Sequence, residues 1–163
     1  MNYGGFIIPF LVGNPMKCTG CRICEMVCSF ENSKVMNPKK ARLRIYRAND
    51  ETPIDFPIVC HHCADAPCIK VCPTNAITRT KDGMVIVNKS KCIGCGACVE
   101  ACPFGAMFMD PDENVAINCI LCGACVDACP VKALEIVATE EDYRKLISNA
   151  LADKASHVLN SNK

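Results

Sequence analysis

The sequence has no tryptophan, and its 163 residues include only six phenylalanines and three tyrosines. Large aromatic side chains supply much of the buried area of an ordinary core. The hydrophobic fraction of 50% also overstates the apolar content, because it includes 16 cysteines. Something other than apolar packing must therefore help to hold the fold together.

The sequence also lacks long apolar runs and a readable export signal. No stretch approaches the roughly 18 to 20 apolar residues that span a bilayer. The start, MNYGGFIIPFLVGNP, has neither a basic n-region nor a small-residue cleavage site. We therefore expect a cytoplasmic protein with no membrane span, where clustered cysteines are more often metal ligands than disulfides.

The sequence also lacks a large net charge of either sign, because its formal net charge is only +1. No basic patch with interleaved aromatic residues is present, which argues against nucleic acid as a partner. If all the cysteines bound metal as thiolates around four cores of about +2 each, the net charge would become about −7. The metal-loaded protein would then be acidic.

Cysteine is what the sequence has in abundance, and all 16 fall into four quartets with none left over. Three quartets read C-x2-C-x2-C-x3-C, and the second is stretched by the insertion ADAP. Proline follows the last cysteine of three quartets, whereas Ser29 follows that of the first. In order, the quartets are Cys18, Cys21, Cys24 and Cys28; Cys60, Cys63, Cys68 and Cys72; Cys92, Cys95, Cys98 and Cys102; and Cys119, Cys122, Cys125 and Cys129.

This spacing suits a 4Fe-4S cubane. Three thiolates in a loop can bind three corners of one cluster, while the last cysteine, which we expect to start a short helix, ligates another cluster, as in bacterial ferredoxins. Glycines stand where such a loop needs positive φ or a close backbone approach, namely Gly20, Gly94, Gly96 and Gly123. Quartets therefore work in pairs, and four quartets predict four 4Fe-4S clusters.

The pairing of quartets is a separate inference. Only 20 residues separate Cys72 from Cys92, which favours a compact unit of the second and third quartets, with the first and fourth closing around it. The cluster ligands would then be Cys18, Cys21, Cys24 with Cys129; Cys60, Cys63, Cys68 with Cys102; Cys92, Cys95, Cys98 with Cys72; and Cys119, Cys122, Cys125 with Cys28. Pairing first with second and third with fourth stays open on spacing alone, because Cys102 and Cys119 are only 17 residues apart.

Other uses of these residues fit less well. Structural zinc usually takes two well-separated C-x2-C knuckles, whereas here a third cysteine follows closely. His61 and His62 lie beside Cys60, but cysteine already fills every cluster position, so we expect hydrogen bonds to a cluster sulfur or to solvent. No catalytic residue is predicted, because no quartet lacks a cysteine and no nucleotide-binding motif is present.

The rest of the pattern predicts an α+β fold. Hairpins are expected in AITRTKDGMVIVN and AMFMDPDENVAIN, further strands in ARLRIYR and ALEIVAT, and one-turn helices in CVEACP and CVDACP, each ended by proline. The basic segment ENSKVMNPKKARLRIYR is either a charged edge strand or a docking face. We expect a double dicluster domain over residues 1–138.

Residues 139–163 are expected to form a C-terminal helix and tail. Thr139 and Asp142 resemble a capping box, and apolar residues follow at helical spacing. This helix could pack on its own domain or dock to a partner subunit. Together with the apolar start FIIPFLV it counts against a free carrier, which has little use for extra apolar surface.

The stretches CTGCRICEMVCS, CHHCADAPCIKVCP, CIGCGACVEACPFGAM and CILCGACVDACP occur in this order. They resemble the four-cluster, ferredoxin-like subunits of molybdenum and tungsten oxidoreductases, the dimethyl sulfoxide reductase type of iron-sulfur subunit. The resemblance implies two ferredoxin-like dicluster units, pairing of the first quartet with the fourth and the second with the third, and catalysis on another chain.

The short length is similar to that of the compact cytosolic electron-transfer subunits of tungsten aldehyde oxidoreductases and tungsten-type benzoyl-CoA reductases. The expected partners are therefore a large catalytic subunit with a tungsten or molybdenum pterin and a further redox partner such as a ferredoxin or flavin subunit. The alternatives are an independent soluble polyferredoxin and an electron-transfer subunit of a hydrogenase or carbon monoxide dehydrogenase.

Overall fold

A computed structural model describes residues 9–48, 54–139, 141–142, 144–145 and 148. Short strands alternate with mostly one-turn helices, which confirms the predicted α+β class. The elements are β1 Phe10–Gly13, α1 Ile23–Ser33, β2 Arg44–Arg47, β3 Asp55–Ile58, α2 Pro67–Lys70, β4 Ile77–Arg79, β5 Val85–Val87, α3 Ala97–Glu100, β6 Phe108–Met109, β7 Ala116–Ile117, α4 Ala124–Asp127 and β8 Leu134–Val137. Single 3-10 turns lie at Pro38–Lys40 and Lys89–Lys91.

In the described ranges, the strands form four antiparallel two-stranded sheets, β1–β8, β2–β3, β4–β5 and β6–β7. Both predicted hairpins are confirmed, and the Asp82-Gly83 turn places Arg79 opposite Val85. The basic segment ends in β2, an edge strand as one alternative predicted. The sequence did not predict β1 or β3.

The helices correct one expectation, because the last cysteine of a quartet does not start a helix. Three one-turn helices, α2, α3 and α4, instead each contain the third cysteine of a quartet, and the last cysteine follows two residues after each helix ends. The proline that follows this cysteine prevents the helix from continuing. In the first quartet Ser29 replaces the proline, so α1 continues through Cys28 to Ser33 and spans 11 residues.

The buried apolar side chains form two clusters. One contains Leu11, Leu43 and Leu134 together with cysteines of the first and fourth quartets. The other contains Ile77, Val85 and Met107 beside Cys98 and the partly buried cysteines of the second and third quartets. Leu11 is 1% exposed. The described part of FIIPFLV thus contributes one buried side chain, that of Leu11 in β1, to this cluster.

The capping box is confirmed at the far end of the described chain. The Thr139 N–H donates to Asp142 Oδ2 over 3.0 Å, and the Asp142 N–H donates to Thr139 Oγ1 over 3.1 Å. Most of the apolar stripe after it, including Tyr143, Leu146 and Ile147, lies outside the described residues, so the C-terminal helix stays a prediction. None of the helices in the described ranges is long and apolar enough to cross a membrane.

Candidate metal centres

Four cavities each collect four cysteines, three from one quartet and the last cysteine of another. We number each cavity by the quartet that supplies three. The first is lined by Cys18, Cys21, Cys24 and Cys129; the second by Cys60, Cys63, Cys68 and Cys102; the third by Cys92, Cys95, Cys98 and Cys72; and the fourth by Cys119, Cys122, Cys125 and Cys28. The structure therefore brings together the first quartet with the fourth and the second with the third.

The loops that carry the three cysteines repeat one backbone conformation. The residue before the second cysteine has positive φ in every quartet, at Gly20, His62, Gly94 and Leu121. The residue after the second cysteine has positive φ at Arg22, Gly96 and Gly123. The predicted role of the glycines is confirmed, and Leu121 and Arg22 adopt this conformation although non-glycine residues disfavour it.

Gly94 also needs to be small. A Cβ on this residue would overlap the main-chain oxygen of Asn114 in the turn between β6 and β7. Nothing lies within 4 Å of the Cβ position of Gly96. The absence of a side chain at Gly94 therefore allows its loop to pack directly on this turn, whereas the space around Gly96 would accept a side chain.

Main-chain N–H groups point at the last cysteine of each quartet. Ala76, Ala106 and Ala133, four residues beyond these cysteines, donate to Cys72, Cys102 and Cys129 Sγ at 3.2, 3.3 and 3.2 Å. Cys28 lies within α1, and its donor is instead the Arg42 N–H at 3.2 Å. Such donors stabilise a thiolate, the form in which cysteine binds metal.

Burial works against that ionisation. It raises the pKa of Cys24, Cys119 and Cys125 to about 12, with contributions from nearby acidic groups and thiols. Burial also raises the pKa of Cys68 to about 11. A metal that binds here must therefore displace protons, and this couples binding to proton release.

The four cavities fit a 4Fe-4S cluster better than a single ion. Across the described residues, no group of three or more Cys, His, Asp or Glu side chains is close enough to hold one metal ion. The cysteines instead line four separate cavities that are partly open to solvent, with four sulfurs around each. Sulfur donors on separate sides of such a space suit a multi-iron group with one thiolate for each iron.

Neighbouring cavities share elements and so follow one another in a definite order. Cys24 in the first cavity and Cys28 in the fourth both lie on α1. Beside Cys119 of the fourth cavity, Asn118 Nδ2 donates to Cys60 Sγ of the second over 3.5 Å. The second and third cavities share the segment of α2, through Cys68 and Cys72. The order is first, fourth, second, third.

Two polar side chains at the second cavity are tied to the same residue of β5. His62 Nδ1 accepts the Val85 N–H over 2.9 Å, and Asn118 Nδ2 donates to the Val85 carbonyl over 2.7 Å. Burial lowers the pKa of His62 to about 4, so its ring is neutral near pH 7. Sequence analysis missed Asn118, since nothing in the pattern distinguishes it from other asparagines.

His61 has a different environment although it adjoins His62. Its side chain is exposed and stacks against Phe104 with ring centroids 4.1 Å apart. The ring of Phe10 in β1 is also stacked with that of His61, with centroids 6.0 Å apart. The two histidines that were equivalent in the sequence are therefore not equivalent in the fold.

Residues 53–141 match the 4Fe-4S dicluster domain family, and residues 15–31 match a 4Fe-4S binding domain. The chain belongs to the 4Fe-4S dicluster domain family. The matches together cover all four quartets, which confirms the prediction of several 4Fe-4S clusters.

Relatives within this family include named subunits of oxidoreductases. The chain is 47% identical over 90 residues to the polyferredoxin-like subunit of an aliphatic sulfonate oxidoreductase from Pyrococcus furiosus, covering 55% of this chain and 51% of the relative. It is 42% identical over 98 residues to hydrogenase-4 component A of Escherichia coli, covering 60% and 46%. The chain thus spans about half the length of these relatives.

A solved structure is similar over nearly the whole chain. It is described as the active site complex BamBC of benzoyl coenzyme A reductase in complex with zinc, and it aligns with a TM-score of 0.50 at 25% identity. The alignment covers 91% of this chain and 98% of the matched chain. This 4Fe-4S dicluster protein therefore resembles one chain of that complex over nearly its whole length.

Proposed function

We propose that the chain is a non-catalytic electron-transfer subunit that carries four 4Fe-4S clusters, one in each cavity. The observation that carries the proposal is the composition of the cavities, because each holds three cysteines of one quartet and the last cysteine of its partner. The ligand sets are those that line the four cavities. All 16 cysteines are then used, and none remains for other chemistry.

The residues of the chain would do three things for these clusters. The thiolates would hold the irons, the main-chain N–H groups would donate to the sulfurs, and the apolar walls would limit access of water. A bound 4Fe-4S cluster supplies a one-electron redox couple. The protein would contribute the positions of the clusters and the electrostatic environment that sets their reduction potentials.

The order of the cavities supports a path across the molecule. In this order the first and third cavities are the outer two, and the second cysteine of each, Cys21 or Cys95, is exposed, as is Cys122 of the fourth cavity. The fourth and second cavities lie between them and meet at Asn118. We propose that electrons enter at one end and leave at the other.

The partner would be a larger catalytic subunit, with a tungsten or molybdenum pterin as the proposed centre, and a further redox protein such as a ferredoxin or flavin subunit would contact the other end. The similarity to a chain of the benzoyl coenzyme A reductase complex supports this proposal. The similarity to hydrogenase-4 component A supports a hydrogenase as the alternative partner.

Metal analysis of protein prepared without oxygen tests the proposed function. Four 4Fe-4S clusters require about 16 iron and 16 sulfide per chain, and a broad absorption shoulder near about 400 nm. Far less iron, or zinc in its place, would overturn the proposal. Size-exclusion chromatography of native extract then separates the alternatives, because an independent polyferredoxin would elute near 17.7 kDa and a bound subunit with a much larger protein.

A further inference from the structure

His62 has one polar atom that no group of the protein satisfies. The residue is 1% exposed and lines the second cavity. Its Nδ1 accepts the Val85 N–H, but its buried Nε2 has no hydrogen-bond partner. Because an unpaired buried polar group is costly, this nitrogen indicates a partner within the cavity.

The hydrogen bond at Nδ1 decides what Nε2 can do. A nitrogen that accepts an N–H carries no proton itself, so the neutral ring has its proton on Nε2. Nε2 is therefore a donor and needs an acceptor. The groups facing the second cavity are mainly cysteine sulfurs and apolar side chains.

We propose that His62 donates a hydrogen bond from Nε2 to a sulfur of the cluster in the second cavity and thereby raises the reduction potential of that cluster. The inference rests on the proposed function, since it requires a cluster at this place. Reduction adds negative charge to the cluster, so a fixed donor stabilises the reduced form more than the oxidised form.

The surroundings hold the ring in position for this bond. His62 has φ of 46°, a conformation that histidine adopts more readily than most residues. Arg79 Nη1 donates to the His62 carbonyl over 3.3 Å. Asn118 Nδ2 donates to the carbonyl of Val85, the residue whose N–H orients the His62 ring. The donor is thus fixed by the fold before a cluster binds.

Redox titration followed by electron paramagnetic resonance tests the proposal. His62→Leu removes the donor, and we expect reduction of one cluster to become about tenfold less favourable, a lowering of about 59 mV for a one-electron couple. His62→Gln keeps an N–H at the end of the side chain and should restore most of the potential. His61→Phe is the matched control. His61 also lines the second cavity, but its side chain is exposed and stacks on Phe104, so its replacement removes no buried donor and should shift the potentials far less than His62→Leu does.

The outcomes separate this inference from the proposed function. Four unchanged potentials in a fully loaded His62→Leu protein would overturn the role of His62 and leave the electron-transfer function standing. Wild-type protein without clusters would overturn the proposed function and the inference together. A lowered potential in His62→Leu that His62→Gln also shows in full would indicate a packing effect and contradict the hydrogen bond.

If His62→Leu fails to assemble the cluster, a measurement on other variants decides. Pulsed electron paramagnetic resonance of reduced His61→Phe protein, labelled with ¹⁵N-histidine, should show nitrogen coupled to a cluster. No coupling to histidine nitrogen would overturn the proposal without any change at His62.

Discussion

Arg79, at the end of β4, fastens the stretched second quartet to the neighbouring hairpin. Its Nη1 donates to the carbonyls of His62 at 3.3 Å and Gly83 at 2.6 Å, and its Nη2 donates to the carbonyls of Cys63 and, at 2.9 Å, Ala64. Hydrogen bonds from a charged donor contribute about 1.5 to 3 kcal/mol when well buried. Because the guanidinium is only half-buried, we expect Arg79→Met to destabilise this loop by about 2 to 3 kcal/mol in total.

The expected result is faster loss of one cluster. If the loop opens before iron is released, a destabilisation of about 2 kcal/mol raises the open population about 30-fold. The decay of absorbance near about 400 nm, followed without oxygen in the presence of an iron chelator, measures the rate. One quarter of the signal should decay in a separate fast phase, because the loop of the second quartet is the cluster-binding loop to which Arg79 donates.

Lys70→Met provides the matched control. It also removes one positive charge near the second quartet, but Lys70 Nζ pairs with Asp65 on the surface, where both side chains are mostly exposed. Such pairs contribute about 0 to 1 kcal/mol, so this variant should release iron at nearly the wild-type rate. Equal rates in the two variants would refute the view that the contacts of Arg79 hold the loop.

Three further results are expected. Gly94→Ala should lower the iron content by about a quarter, because the new Cβ would overlap Asn114. Gly96→Ala should keep its iron, because the space around that Cβ position is open. Equal losses of iron in the two variants would contradict the steric argument. Cys24→Ala should lose the cluster of the first cavity, and full iron content by elemental analysis would contradict the proposed ligand set. Removal of iron should abolish most of the far-ultraviolet circular dichroism of the folded protein, because metal binding supplies stability that the small core lacks; a native spectrum without iron would disprove that dependence.

Local signals in the sequence account for much of the fold. The Asp82-Gly83 turn between β-branched residues predicts β4 and β5, and a proline after the last cysteine predicts where the one-turn helices stop. The same rule explains why α1 continues past Cys28, where Ser29 stands in place of proline. Its length was still missed, since the absence of a stop signal does not say how far a helix continues.

Non-local contacts account for what could not be predicted. β1 is short and has no local partner, because Phe10 pairs with Val137 near the other end of the described chain. Spacing left two pairings of quartets open, and contacts such as those of α1 with α4 decide which cysteines meet. His61 and His62 became distinct only through Val85 and Phe104, which lie far from them in the chain.

The nested arrangement of the quartets has a consequence for biosynthesis. Every cysteine of the second and third cavities lies between residues 60 and 102, so both cavities have all their cysteines once the ribosome has made the middle of the chain. The first and fourth cavities wait for Cys119 to Cys129, and β1 finds its partner strand last. The thiols of Cys18 to Cys28 are therefore the first to be synthesised and the last to meet all the cysteines with which they share a cavity.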